Sequence, residues 1–80
     1  MGDRQELNFD MLENVNGGNI GFNVEPGGAT YTMKGQYTGW TRKGVTLAHV
    51  MEIAKYAATV PNTDEGERQI FNWASDRGYI

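Results

Sequence analysis

The sequence predicts a small α+β protein: an N-terminal amphipathic helix, then a three-stranded antiparallel meander, then two C-terminal helices packed on the sheet. Three observations support this fold class. Apolar residues recur at helical spacing before residue 18, alternate with polar residues from 20 to 42, and return to helical spacing after residue 46. With 80 residues, the chain has room for one domain at most.

The first helix is predicted over residues 4 to 15. Asp3 is a favourable N-cap, and Glu6 follows it at the spacing of a capping box. The apolar positions of this helix are Leu7, Met11, Leu12 and Val15. Gly17 and Gly18 are expected to end the helix, because glycine enters the left-handed conformation at little cost.

The meander is predicted from period-2 alternation over residues 20 to 42. The large alternating side chains are Ile20, Phe22 and Val24 in the first strand, Tyr31 and Met33 in the second, and Tyr37 and Trp40 in the third. Residues 26 to 28 read Pro-Gly-Gly and predict a tight turn. Gly39 interrupts the third strand, where we expect a bulge or bend.

Two helices are predicted in the second half of the chain. Thr46 is expected to cap the first of them, and Pro61 to end it. The apolar stripe of that helix is predicted at Leu47, Val50, Met51, Ala54, Ala57 and Ala58. Asn62 or Thr63 would cap the last helix, with Gly78 at its C-terminal stop. Its inward side chains are predicted to be Ile70, Phe71, Trp73 and Ala74.

The formal net charge of -3 lies entirely in the first 18 residues. Residues 1 to 18 hold one arginine against four carboxylates, whereas residues 19 to 80 hold six basic and six acidic side chains. A neutral body has neither an electrostatic footprint for nucleic acid nor a cationic surplus for anionic lipid. No apolar run approaches the roughly 20 residues that span a bilayer. We therefore expect no nucleic-acid partner and no transmembrane segment.

No catalytic residues, metal ligands or cofactor site are predicted. The chain has no cysteine and a single histidine, His49, which we expect to face solvent on its helix. The carboxylates of Asp64, Glu65 and Glu67 are explained by the preference of a helix N-terminus for acidic residues. A non-enzymatic protein without a cofactor is the expectation.

Acidic and apolar residues stand in a specific order before the two adjacent glycines. The positions are Glu6, Leu7, Leu12, Val15, Gly17 and Gly18, with further acidity at Asp10. This segment resembles a double-glycine leader, the N-terminal tag of bacteriocin-type and peptide-pheromone precursors exported by peptidase-containing ABC transporters. It departs from that pattern at Asn8, where serine is usual, and at Met11, where glutamate is usual. The resemblance covers residues 1 to 18 only.

The resemblance implies a chain in two parts, a leader helix at 1 to 18 and a small α+β product domain at 19 to 80. The peptidase domain of an ABC transporter would recognise the leader and cleave after Gly18. An apolar groove could hold Leu7, Leu12 and Val15 on one helical face. The precursor would be cytoplasmic, and the secreted product would be a bacteriocin-like or signalling polypeptide that binds an unidentified protein.

A second interpretation treats the whole chain as a cytoplasmic α+β interaction module. The first helix would then pack on the sheet, and Gly17-Gly18 would be only a turn. In either case, we expect the best candidate for a protein-binding patch to be a strand face that bears Tyr37 and Trp40, because tyrosine and tryptophan are favoured in protein interfaces.

Overall fold

A computed structural model describes residues 18 to 80 as a three-stranded sheet followed by two helices. The strands are β1 (Ile20–Val24), β2 (Thr30–Gly35) and β3 (Thr41–Thr46), and the helices are α1 (Leu47–Ala57) and α2 (Asp64–Asp76). The predicted α+β class is therefore confirmed for this part of the chain. The predicted first helix lies outside the described residues, as do Glu6, Leu7, Leu12, Val15 and Gly17 of the leader pattern.

The sheet is an antiparallel meander with the strand order β1-β2-β3. In the first hairpin, Ile20 pairs with Gly35 and Val24 pairs with Tyr31. The predicted Pro-Gly-Gly turn joins these strands, and the amide of Gly28 donates to the carbonyl of Glu25 across 2.9 Å. Both glycines of this turn have positive φ, which a residue with a Cβ rarely adopts.

The third strand begins later in the chain than the sequence predicts. Tyr37 and Trp40 lie in the β2–β3 loop, residues 36 to 40, and not on a strand face. Within that loop Gly39 has a φ of 80° and donates to the carbonyl of Gly35 across 3.0 Å, which closes a tight turn. The amides of Tyr37 and Thr38 bind a side chain of α2 rather than a neighbouring strand, and pairing with β2 resumes at Thr41.

Each helix begins at a capping side chain. The Thr46 hydroxyl accepts from the amide of His49 at the start of α1, as predicted. Thr63, one of the two residues predicted as caps, accepts from the amide of Gly66 across 3.0 Å at the start of α2. Such N-caps satisfy amides that have no partner within the helix. α1 ends at Ala57, well before Pro61, and the intervening residues form turns.

One hydrophobic core joins the sheet to both helices. Its buried members are Ile20, Phe22, Tyr31, Met33, Val45, Val50, Ile53, Ala57, Ile70, Phe71 and Ala74. The predicted stripe of α1 was partly wrong, since Leu47 and Met51 are exposed and Ile53 is buried in their place. The helix is rotated so that the line from Val50 through Ile53 to Ala57 faces the sheet. In α2, Trp73 is only partly buried.

Candidate functional site: the junction at Gly18

Gly18, the residue at which the leader resemblance places the cut, is in contact with the segment that leads into α2. Its φ is 91°, and a Cβ added there would lie 2.5 Å from Nδ2 of Asn62. The fold thus has two reasons for glycine at this position, the positive φ and the Asn62 side chain, which would have to shift to admit a Cβ. A requirement of the peptidase would be a third and separate reason.

Asn19, the next residue, is buried and hydrogen-bonded to two other segments of the domain. Only 1% of its surface is exposed. Its Nδ2 donates to the carbonyl of Pro61 across 2.8 Å, and its own carbonyl accepts from the amide of Gln36 across 3.1 Å. Its Oδ1 is buried and has no hydrogen-bond partner among the described residues. Sequence reasoning did not single out Asn19, since a lone asparagine after glycines is typical of an exposed turn.

Asn62 links Gly18 to the β2–β3 loop. The hydroxyl of Tyr37 lies 2.9 Å from both the carbonyl and Oδ1 of Asn62, so its single proton can be donated to either oxygen. We call the contact region formed by Gly18, Asn19, Pro61 and Asn62 the N-terminal junction. Tyr37, one residue of the predicted patch, is thereby connected to Gly18 through Asn62.

A buried carboxylate holds the loop beside the N-terminal junction. Glu67, in the first turn of α2, is 0% exposed. It accepts from the amide of Tyr37 across 2.7 Å and from the amide and hydroxyl of Thr38. Glu67 lies in the first turn as predicted, but the helix N-terminus does not explain it fully, because its carboxylate is buried against the β2–β3 loop. Its spacing to Ile70 and Phe71 places it on the buried face of the helix, and this is the signal that could have identified it.

The two residues of the predicted patch are exposed, but Trp40 contacts a core ring whereas Tyr37 is hydrogen-bonded to Asn62. Tyr37 is 51% exposed and Trp40 is 44% exposed. The edge of the Trp40 ring meets the Phe71 ring in a T-shaped contact, with 5.5 Å between the centroids. The Arg42 guanidinium lies over the same Phe71 ring at 5.7 Å. Trp40 therefore covers part of the core while presenting the rest of its indole to solvent.

A second aromatic group, not predicted, joins the helices to the C-terminal residues. Trp73 stacks on Tyr56 with 4.5 Å between centroids, and the guanidinium of Arg77 lies 4.6 Å from the Trp73 ring. His49 stacks on Tyr79 at 4.2 Å and is partly buried, which corrects the prediction that it faces solvent. These contacts give His49 a packing role.

The carboxylate of Glu25 accepts three hydrogen bonds beside the first turn. The pKa of Glu25 lies below the ordinary value of 4.5, first because the amide of Gly44 donates to its carboxylate across 2.8 Å. The hydroxyls of Thr30 and Thr32 donate as well and lower the pKa further. These bonds connect the first turn to β3 beside the bulge that the strand pairing shows between Tyr31 and Met33.

The exposed side chains of this region offer aromatic surface and hydrogen-bonding groups to a binding partner. Within residues 18 to 80, no three His, Asp or Glu side chains are grouped closely enough to hold a metal ion. No helix in the same part of the chain is long and apolar enough to cross a bilayer. Comparison with protein-family models, curated proteins and solved structures gives no match to this chain.

Proposed function

We propose that this chain is a bacterial precursor polypeptide whose residues 1 to 18 are a double-glycine leader. The peptidase domain of an ABC transporter binds the leader through Glu6, Leu7, Leu12 and Val15 and cuts after Gly18. The observation that carries the proposal is the position of the motif's end. The glycine pair stops at the residue immediately before Asn19, which is the first buried residue within the described range of 18 to 80.

Residues 19 to 80 contain a hydrophobic core that joins the sheet to both helices. All eleven buried apolar side chains of the described residues lie between Ile20 and Ala74. A cut after Gly18 would remove none of them, and it would leave β1 with its full pairing to β2. A domain with its own core can fold after its leader has been removed.

The surface of the product favours binding to another protein. Residues 19 to 80 carry six basic and six acidic side chains, so they lack the net positive charge that nucleic acid and anionic lipid attract. Tyr37 and Trp40 provide exposed aromatic area on one loop, whose backbone is fixed by Glu67. A fixed aromatic loop loses little conformational entropy when it binds a protein partner. The product is thus a secreted, non-enzymatic polypeptide that is bacteriocin-like or acts as a signal.

One observation favours the alternative, a cytoplasmic interaction module in which the first helix belongs to the fold. Gly18 packs against Asn62 with a positive φ, so its presence is explained by the folded structure without any peptidase. Under this alternative the glycine pair is a turn that returns the chain from the first helix to β1.

The test of the proposal is cleavage by the peptidase domain of the source bacterium's double-glycine ABC transporter. The full chain is incubated with this domain, and the fragments are identified by mass spectrometry. We expect a fragment of residues 19 to 80, and its loss in Leu12→Asp and Gly17→Val. Both substitutions leave residues 18 to 80 unchanged, whereas a bulky residue at Gly18 would also strain the fold.

Leu47→Asp is the matched control, because Leu47 is an exposed leucine of the body. It should be cut like the parent chain. No cut after Gly18 in any conformational state of the chain, or a cut that Leu12→Asp and Gly17→Val leave unchanged, contradicts the proposal.

A further inference from the structure

We propose that the folded domain protects the peptide bond between Gly18 and Asn19, so that the chain is processed only while β1 is undocked from β2. This inference rests on the proposed function and specifies the conformational state of the peptidase's substrate. Processing would then have to precede folding, or else await the opening of β1.

The residues that follow the bond are the first reason. Asn19 is 1% exposed and holds the carbonyl of Pro61 through its side chain. Ile20 is fully buried and pairs with Gly35. A protease binds its substrate as an extended strand on both sides of the bond, with the backbone groups free to pair with the enzyme. In the folded domain, the carbonyl of Asn19 is already occupied by the amide of Gln36.

The neighbourhood of Gly18 is the second reason. The side chain of Asn62 lies so close to the Gly18 backbone that not even a methyl group fits between them. Asn62 is braced in turn by the hydroxyl of Tyr37. Hydrolysis adds the hydroxyl of water to the Gly18 carbonyl carbon, breaks the C–N bond and transfers a proton to the Asn19 nitrogen. Gly18 itself is exposed, but the catalytic groups must act on its bond to Asn19, which is buried.

The peptidase can reach the bond between Gly18 and Asn19 only after β1 separates from β2. In the described part of the chain β1 pairs with β2 alone, so β1 can separate without breaking the pairing between β2 and β3. Ile20 and Phe22, which are both core residues, must then leave the interior. When opening and closing are fast relative to cleavage, the rate of the cut follows the population of the open state.

The experiment compares the cleavage rates of full-length chains by the same peptidase domain. Phe22→Ala weakens the docking of β1, and Met51→Ala, at an exposed methionine, is the control. The double substitution Ile53→Asp and Ile70→Asp places two carboxylates in the core and provides an unfolded full-length substrate. Adding Phe22→Ala to that unfolded chain shows whether residue 22 affects the peptidase directly.

We expect the unfolded chain to be cut after Gly18 at a rate at least about 100-fold above that of the folded parent. Phe22→Ala should raise the rate of the folded chain about tenfold or more, since loss of a buried aromatic ring is among the costliest core changes. Met51→Ala should not change it, and Phe22→Ala should have no effect in the unfolded background.

The outcomes separate the two proposals. A parent chain that is cut as fast as the unfolded chain overturns the protection and leaves the proposed function intact. Protection is also overturned if Phe22→Ala lowers stability without raising the rate. If even the unfolded chain is not cut after Gly18, the proposed function itself fails.

Discussion

The carboxylate of Glu67 occupies the space that a side chain at Gly35 would need. A Cβ added to Gly35 would overlap Oε1, Oε2 and the carboxyl carbon of Glu67. The last residue of β2 is therefore a glycine because α2 approaches it with a buried acid, and that acid in turn fixes the loop that carries Tyr37. One contact between distant parts of the chain sets both the end of β2 and the shape of the exposed loop.

Gly35→Ala should destabilise the domain by about 1 to 3 kcal/mol, the usual cost of forcing extra atoms into a packed site. Urea denaturation of the two proteins measures this difference in the free energy of unfolding. If the overlap with Glu67 is the cause, Gly35→Ala should cost much less in a Glu67→Ala background. Equal costs in both backgrounds would assign the effect to the strand backbone and contradict this explanation.

Glu67→Gln should lower the free energy of unfolding by about 1 to 3 kcal/mol, the cost of leaving buried polar groups without good partners. Both carboxylate oxygens of Glu67 accept hydrogen bonds from the loop. Glutamine has only one acceptor oxygen, and its NH2 group is a donor that would face the donating amides of Tyr37 and Thr38. Glu65→Gln is the matched control, because Glu65 is exposed in the same turn of α2. Similar losses for both variants would indicate an effect of helix charge alone.

Glu25 should make the stability of the domain depend on pH in the acidic range. Its pKa in the folded state lies below the ordinary value of 4.5, so its contribution is fully present above that value. The contribution is lost as the pH falls through the lower folded-state value, because protonation then removes the negative charge that strengthens the hydrogen bond from the Gly44 amide.

The measurement is the melting temperature of the parent and of Glu25→Gln between about pH 7 and pH 2. The parent should be the more stable protein at neutral pH, and the difference should shrink as the solution is acidified. All other carboxylates are common to both proteins, so their titration cancels in the comparison. A difference that stays constant with pH would contradict the role assigned to this carboxylate.

Trp40→Ala should have only a small effect on stability if its ring is available to a partner. It makes one edge contact with Phe71, and such aromatic pairs contribute about 0.5 to 1.5 kcal/mol. Phe71→Ala should cost about 3 to 5 kcal/mol, because Phe71 is a core residue. Thermal or urea unfolding of both variants gives the comparison, and equal losses would place Trp40 in the core and remove it from the patch.

The alternation of residues 20 to 24 and 30 to 35 predicted β1 and β2 because one face of these strands is buried and the other is polar. Thr46 was predicted as a helix cap and Thr63 as one of two candidates with Asn62, since capping depends on neighbouring residues only. These parts of the fold are determined locally. A short sequence window contains the physical cause of each.

The position of β3 and the faces of the helices depend on tertiary contacts. Tyr37 and Trp40 have a strand-like spacing, yet the carboxylate of Glu67 holds their backbone in a loop. Leu47 and Met51 fit a helical stripe as well as Ile53 does, and only the approach of the sheet selects among them. The N-terminal junction was unpredictable for the same reason, because the hydrogen-bond partner of the Asn19 side chain, Pro61, lies 42 residues further along the chain.

Removal of the leader should leave the stability of the domain nearly unchanged. Two shortened chains, one starting at Gly18 and one at Asn19, are compared with the full chain by urea denaturation. Loss of residues 1 to 17 should change the free energy of unfolding by less than about 0.5 kcal/mol, the range of substitutions that touch no packed feature. The difference in the free energy of unfolding between the two shortened chains measures the contribution of the contact between Gly18 and Asn62.

A helix that buried Leu7, Leu12 and Val15 in the core would instead cost about 1.5 to 3 kcal/mol for each side chain lost. A loss of that size on removing residues 1 to 17 would mean that the first helix belongs to the fold, and it would favour the cytoplasmic module over the exported precursor.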